Sequence, residues 1–173
     1  MNRFRCDCGV LALVAFLGVP AASSAQLTGV EDGEWRYLGG DAGHTRSAPL
    51  LNQIDASNFS ALEVAWIWQG NNSGGGVEYT SRSTPVFVNG VLYTVTGQRR
   101  QVVAIDAATG ERLWTFREPE TMRYLRSPRT DFGKGVAYAE VDGRGVIYIT
   151  TPGFFLWALD AKTGRPLENW GAS

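Results

Sequence analysis

The sequence predicts an all-β protein, a β-propeller of four-stranded antiparallel blades. The main observation is a sequence motif that occurs twice: residues 104–110 (AIDAATG) are repeated as residues 158–164 (ALDAKTG), at a spacing of 54 residues. Repeats of about 40–50 residues are typical of propeller blades. A second observation is the composition, since 21 glycines and 12% aromatic residues fit many short strands joined by tight turns.

The first 25 residues predict a cleaved signal peptide. Arg3 and Arg5 give a positive start, an apolar run follows over residues 9–19, and small residues lead to a cleavage site after Ala25. The apolar run is about half of the roughly 20 residues that cross a bilayer. We therefore expect a periplasmic or secreted protein that is soluble or peripheral to the membrane. The two cysteines, Cys6 and Cys8, are expected to leave with this peptide, so the rest of this sequence has no cysteine for a disulfide.

Residues 26–60 predict an irregular lead-in, in which Asp55 or Ser57 caps a short helix. Residues 61–68 (ALEVAWIW) then predict a strand with Val64, Trp66 and Trp68 on one face. The glycine-rich loop at residues 71–76 carries no phosphate-binding motif. A net charge of −1 gives no reason to expect nucleic acid as a partner.

The first repeat predicts a complete blade, because turn signals separate four short apolar runs. Asn89-Gly90 is the strongest of them, since this pair favours a two-residue hairpin. Asp106 and Thr109-Gly110 make another turn, in which Asp and Thr side chains bond local backbone. The predicted strands are residues 85–88, 91–96, 102–106 and 112–116.

The second repeat predicts strands at residues 136–140, 146–150 and 155–160, and its fourth strand barely begins. Trp114 follows the first repeat by four residues, whereas Trp170 comes two residues later than the equivalent position, so the second copy departs from the first. Residues 61–173 therefore predict a closing strand, one blade and most of another. A closed propeller needs about four blades, so we expect a fragment of a longer protein.

The motifs resemble those of the pyrroloquinoline quinone (PQQ)-dependent dehydrogenases, the quinoprotein alcohol and glucose dehydrogenases. The lead-in from Trp35 to Ile54 resembles their N-terminal signature, and both Ala-x-Asp-x-x-Thr-Gly phrases resemble their tryptophan-docking motif. Residues 83–93 resemble their first blade and residues 134–138 their second. The resemblance covers residues 34–171 in the family's order.

This resemblance implies an eight-bladed propeller with PQQ at its centre, usually beside calcium. It also implies oxidation of an alcohol, polyol or sugar, with a quinone or cytochrome as electron acceptor. Three residues match cofactor-contacting positions, Arg82, Lys134 and Thr150. PQQ is a tricarboxylate, so cationic partners suit it. The resemblance places the catalytic aspartate and the calcium ligands beyond Ser173, so no catalytic or metal residue is assigned here.

Two departures from the family pattern leave an alternative open. Arg82 stands where many members have glutamate, and residues 131–133 (DFG) replace the adjacent cysteine pair of alcohol-oxidising members. These departures favour a sugar- or polyol-oxidising, glucose-dehydrogenase-like relative over a methanol-oxidising one. They also leave room for a non-catalytic propeller that acts as an assembly scaffold in the cell envelope.

Other polar residues have plainer interpretations. Arg123, Arg126 and Arg129 form either a basic rim for an anionic ligand or, as we favour, a solvated loop. Arg99-Arg100 is expected to cap an exposed hairpin, and His44 is expected to be structural or exposed. The repeat positions of Asp106 and Asp160 predict turn residues rather than a catalytic carboxylate pair.

Overall fold

The computed structural model describes residues 29–70, 83–97, 99–128 and 135–171. Two antiparallel sheets account for its strands, with neighbours in the sheet following the order of the chain. The predicted signal peptide, the loop at residues 71–76, and the predicted site residues Arg82 and Lys134 lie outside the described residues.

The first sheet has the four strands that the first repeat predicts. They are β1 (Val86–Val88), β2 (Val91–Thr96), β3 (Gln101–Asp106) and β4 (Arg112–Phe116). Asn89 and Gly90 both take positive φ, 50° and 77°, as a two-residue hairpin turn with the twist of its flanking strands requires. Thus β1 and β2 pair in register from Val88 opposite Val91. We call this sheet blade 1.

The second sheet has three strands, β5 (Ala137–Val141), β6 (Arg144–Thr150) and β7 (Leu156–Asp160). The turn between β5 and β6 again combines two positive φ values, 51° at Asp142 and 72° at Gly143. Beyond β7 the described chain makes a single bridge, Leu159 to Pro166, which is the predicted start of a fourth strand. We call this sheet blade 2.

The core lies between the two blades, which pack face to face. Alternate residues of each strand point into it, because side chains of a strand alternate between its faces. Val86 and Val88 of β1 are 0% and 1% exposed, and Ile147, Ile149 and Leu159 meet them from blade 2 at 0%, 1% and 0%. Burial against the neighbouring blade covers apolar surface that one sheet alone would leave in water.

The predicted strand over residues 61–68 is not formed in the described chain, and this prediction was wrong for this structure. A strand is held by hydrogen bonds to a neighbouring strand, and residues 61–68 pair with no strand among the described residues. Without such a partner, Val64 and Ile67 are 75% and 78% exposed. Trp66 is nonetheless half-buried, through a contact described below.

The predicted helix cap was also misplaced. A short 3₁₀ helix spans Phe59–Ala61, and its N-cap is Asn58, whose side chain makes no capping bond. Asp55 instead accepts the backbone N–H of Ser57 at 2.7 Å, an Asx turn. The lead-in is also tied to blade 1, because Trp35 and Phe87 exchange two backbone hydrogen bonds of 2.9 Å.

A four-residue helix that the sequence analysis missed, α1 (Met122–Leu125), interrupts the connector between the blades. Thr121 is its N-cap, and the Thr121 hydroxyl accepts the Tyr124 N–H at 3.2 Å. No helix in the described ranges has the length and apolar character that crossing a membrane requires.

Candidate functional site

Trp114 joins the two blades at the repeated turn. Its indole Nε1 donates a 3.0 Å hydrogen bond to the carbonyl of Ala161, and the ring lies on Gly164. A Cβ on Gly164 would stand 2.6 Å from Cδ2 of the indole, which is an overlap. The last glycine of the Asp-x-x-Thr-Gly turn is therefore required by contact as well as by its φ of +69°.

Trp66 repeats this arrangement one blade earlier. Its Nε1 donates to the carbonyl of Ala107 at 3.0 Å, and a Cβ on Gly110 would approach the ring to 2.7 Å. Each tryptophan thus contacts the turn of the following blade. Trp114 therefore packs between the two blades, and Trp66 contacts its turn in the same way from a segment that is not a strand.

Trp170 takes the corresponding place in blade 2. Its ring centroid lies 5.5 Å from that of Tyr148, much as Trp114 lies 5.9 Å from Tyr93 in blade 1. The departure inferred from its spacing is present in the structure too: Trp114 belongs to β4, whereas Trp170 lies in no strand and follows a turn that contains Asn169, whose φ is 61°. Trp170 is 41% exposed.

The paired aspartates are turn residues, as predicted. Asp106 Oδ1 accepts from Thr109 N at 2.9 Å and Ala108 N at 3.0 Å, and the backbone hydrogen bond from Thr109 is the main cause of its lowered pKa. Burial acts to raise the pKa of Asp160, but hydrogen bonds from Arg144 and Thr163 outweigh it and lower that pKa. Both carboxylates serve the turns, which leaves general acid–base work to other groups.

Thr150 lies at the end of β6, where blade 2 meets the turn between β2 and β3 of blade 1. Its side chain lines a cavity of about 400 Å³ between the two blades. The wall combines hydroxyls, a guanidinium and apolar groups, from Arg100, Thr150, Thr151, Pro152, Phe154, Phe155 and Leu156. Thr150 is exposed, whereas Thr151 is 2% exposed and its hydroxyl donates to the Phe155 carbonyl at 3.3 Å.

Arg100 is the residue that sequence analysis misjudged here. It does not cap an exposed hairpin: it is 6% exposed and lines the cavity beside Thr150. Its φ of 50° closes the turn that leads from β2 into β3. The sequence Gly97-Gln98-Arg99-Arg100 does not show which of the two adjacent arginines is buried. A buried guanidinium and a hydroxyl on one cavity wall suit a carboxylate-bearing ligand.

Arg82 and Lys134 fall outside the described residues, but the residue that follows each of them is described. Their described neighbours in sequence, Ser83 and Gly135, are in contact: a Cβ on Gly135 would lie 3.9 Å from Ser83 Cα and 3.5 Å from the Thr84 carbonyl oxygen. The entries to the two blades thus adjoin each other. The assignment of Arg82 and Lys134 as cofactor residues remains a prediction.

The connector between the blades covers the β6–β7 loop. Arg123, on α1, places its guanidinium carbon 4.4 Å from the centroid of the Phe155 ring, a cation–π contact. Arg123 and Arg126 are otherwise exposed, and Arg129 lies outside the described residues. Arg99 forms an ion pair with Glu120 and lies 5.3 Å from the Tyr124 ring.

No cluster of three or more His, Cys, Asp or Glu side chains that could hold a metal ion occurs within the described ranges. His44, the one histidine of the sequence, is exposed and has a φ of 54°, as expected of a turn residue.

The chain is similar to known quinoprotein dehydrogenases. The family model described as "Glucose/ethanol/alcohol dehydrogenase, beta-propeller domain", named PQQ, matches residues 35–173. Quinohemoprotein alcohol dehydrogenase ADH IIB of Pseudomonas putida is 36% identical over 135 residues, which are 78% of this chain and 18% of that protein. The quinoprotein glucose dehydrogenase of Gluconobacter oxydans is 32% identical over 137 residues, 76% of this chain and 15% of that protein.

Solved structures give the same result. The quinohemoprotein alcohol dehydrogenase of Comamonas testosteroni superposes with a TM-score of 0.59 at 32% identity, over 84% of this chain and 20% of that one. A europium-containing methanol dehydrogenase superposes with a TM-score of 0.60 at 25% identity, over 78% of this chain and 22% of that one. The chain thus spans about a fifth of these relatives' length.

Sequence motifs, blade architecture and both comparisons agree. The chain belongs to the PQQ-dependent dehydrogenase family, and its two sheets are blades of that family's β-propeller.

Proposed function

We propose that this chain is the N-terminal part of an exported PQQ-dependent oxidoreductase that oxidises an alcohol, polyol or sugar. The observation that carries the proposal is the cavity shared by Thr150 and the buried Arg100 at the junction of the two blades. It offers a hydroxyl and a permanent cation, the groups that bind a polycarboxylate. The family match over residues 35–173 supports PQQ as that ligand.

The residues of this chain would bind and orient the cofactor. PQQ, when bound, supplies the two-electron redox chemistry, while the protein supplies orientation and electrostatics. Thr150 would donate or accept a hydrogen bond through its hydroxyl, and Arg100 would pair with a carboxylate. Arg82 and Lys134 are proposed as further cationic contacts. Phe154, Phe155 and Leu156 form the apolar part of the wall.

The substrate class is proposed from the names of the relatives together with the two departures from the family pattern, at Arg82 and at residues 131–133. The relatives reported above include alcohol, methanol and glucose dehydrogenases by name. The missing cysteine pair still favours a sugar or polyol over methanol. Those relatives are all dehydrogenases, which favours the enzyme over the envelope scaffold. The acceptor, a quinone or cytochrome, the calcium ion and the periplasmic location are proposed on family grounds alone.

The test is cofactor binding by the full-length product of the gene. The apoprotein is titrated with PQQ while tryptophan fluorescence is followed, and dye reduction is then measured with alcohols and sugars. We expect saturable binding and substrate-dependent reduction. Thr150→Val keeps the shape but removes one hydrogen bond, so Kd should rise about fivefold to tenfold, the equivalent of about 1 kcal/mol. Lys134→Ala should also weaken binding.

Thr115→Val is the matched control, because Thr115 is an exposed residue of β4, opposite Val103 and away from the cavity. It should leave Kd unchanged. A folded full-length propeller that binds no PQQ would contradict the enzyme and return the scaffold to consideration.

A further inference from the structure

Glu118 reaches from the connector after β4 into blade 2. The residue is 4% exposed, and its Oε2 accepts the backbone N–H of Gly153 at 3.0 Å, across 35 residues of sequence. A Cβ at residue 153 would overlap Glu118 Oε1, so the close approach of the carboxylate depends on the glycine. This contact fixes the tip of the β6–β7 loop to the connector.

Stability alone does not explain a glutamate at this position. Oε1 of Glu118 is buried and has no hydrogen-bond partner among the described residues. Removing a carboxylate from water is costly unless its oxygens are well satisfied, and an apolar residue of similar size usually packs better. What Glu118 provides, and an apolar residue would not, is an acceptor aimed at the loop.

The loop that Glu118 holds begins at one candidate cofactor residue, Thr150, and carries Phe154 and Phe155 of the cavity wall. Thr150 stands at its start, Gly153 at its tip and Phe155 at its end. Two backbone hydrogen bonds of 2.9 Å, Thr151 N to Phe155 O and Phe154 N to Thr151 O, make the loop tight, so a shift of the tip is transmitted to both ends. Arg123 on the Phe155 ring gives the connector a second contact.

We propose that Glu118 is a positioning residue: through Gly153 it holds the β6–β7 loop in the conformation in which Thr150 meets the cofactor. The inference rests on the proposed function, because it concerns the same site. Its physical basis is preorganisation, since a loop ordered before binding loses less conformational entropy when the ligand arrives. Glu118 itself does not line the Thr150 cavity.

Two variants of the full-length protein separate the acceptor from its packing. Glu118→Met keeps the length and volume of the side chain without the acceptor, and Glu118→Gln keeps a carbonyl that can accept from Gly153. We expect Glu118→Met to raise the Kd for PQQ about fivefold to tenfold, because the loop that is no longer held at Gly153 must then be ordered when PQQ binds. Glu118→Gln should stay within about twofold of the unchanged protein.

A local readout excludes a merely structural role. Hydrogen exchange at the Gly153 amide should accelerate in Glu118→Met and stay slow in Glu118→Gln, while Tm changes little in either. Glu120→Met is the matched control: it lies on the same connector, is 49% exposed and pairs with Arg99 rather than with the loop. It should alter neither PQQ binding nor Gly153 exchange.

Gly153→Ala provides a second route if Glu118→Met does not fold. The added methyl group displaces the Glu118 carboxylate, so Gly153→Ala should also weaken PQQ binding. Adding Glu118→Gln to Gly153→Ala should not restore that binding. PQQ binding that is equal in the unchanged protein and in Glu118→Met or Gly153→Ala overturns the inference while the proposed function stands. So does equal weakening by the Met and Gln variants. Absence of PQQ binding by the unchanged protein overturns the proposed function itself.

Discussion

The repeated glycine at the end of each Asp-x-x-Thr-Gly turn combines two demands, a positive φ and room for an indole. Gly164 has a φ of +69° and lies under Trp114, whereas Gly143 has a φ of +72° and no atom within 4 Å of its hypothetical Cβ. The two positions share the backbone requirement and differ in the contact. Comparing them separates the two effects.

Gly164→Ala should therefore destabilise more than Gly143→Ala. Both variants place a side chain in the left-handed region at about 1–2 kcal/mol. Only Gly164→Ala also forces the indole away, at about 1–3 kcal/mol more. Urea unfolding followed by tryptophan fluorescence measures the difference, and equal midpoints for the two variants would disprove the docking role.

The stability of the turn at Asp106 should depend on pH. Hydrogen bonds from Thr109 lower its pKa below the ordinary value of 3.8 in the folded state. Between the lowered pKa and 3.8 the unfolded chain binds more protons, so the stabilisation is complete above pH 3.8 and is lost as pH falls through the folded pKa. Asp106→Asn should flatten the stability profile in this window. Acid unfolding monitored by circular dichroism tests it, and an unchanged profile would exclude this contribution.

At the scale of elements, the sequence predicted strands where turn chemistry brackets them. Asn89-Gly90 and Asp142-Gly143 fixed two hairpins, and β2 and β4 have the predicted bounds. The two failures have different causes, a missing partner strand in one case and the shortness of the element in the other. Residues 61–68 have strand-like composition but no partner strand among the described residues, and α1 is too short to show a helical period.

The N-cap of α1 offers a test at this scale. Thr121→Ala removes the acceptor for the Tyr124 N–H and should cost about 1 kcal/mol of local stability. Since α1 carries Arg123 over Phe155, hydrogen exchange should rise in α1 and at the end of the β6–β7 loop. Thr121→Ser keeps the hydroxyl and should leave exchange unchanged; faster exchange in both variants would show that the hydroxyl is not the cause.

The candidate site was only partly predictable, because family motifs locate strand ends while burial is decided by packing between blades. Thr150 lies on a cavity at the expected end of β6, but nothing in Arg99-Arg100 showed that Arg100 would be buried beside it. The role of Glu118 could not be predicted from the sequence either, since its partner Gly153 is 35 residues away. Arg82 and Lys134 stay predictions.

For the molecule as a whole, stability should depend on the tryptophans that join successive blades. Trp114→Ala removes a half-buried ring and should cost about 3 kcal/mol, the lower end for aromatic truncation. Trp114→Phe keeps most of the ring and loses the bond to Ala161, about 1 kcal/mol. In thermal unfolding of the full-length protein, Trp114→Ala should have the lowest Tm, and the Tm of Trp114→Phe should lie between it and that of the unchanged protein. An unmoved Tm in Trp114→Ala would refute interblade docking.

The direction of docking has a consequence for synthesis on the ribosome. The acceptor of each indole lies downstream: Ala107 follows Trp66 by 41 residues, and Ala161 follows Trp114 by 47. At about 5–20 residues per second, an emerging blade waits roughly 2–10 s before the turn that receives its tryptophan has been translated. The nascent chain therefore exposes the indole of Trp66 to chaperones and proteases until Ala107 has been translated, and the indole of Trp114 until Ala161 has been translated.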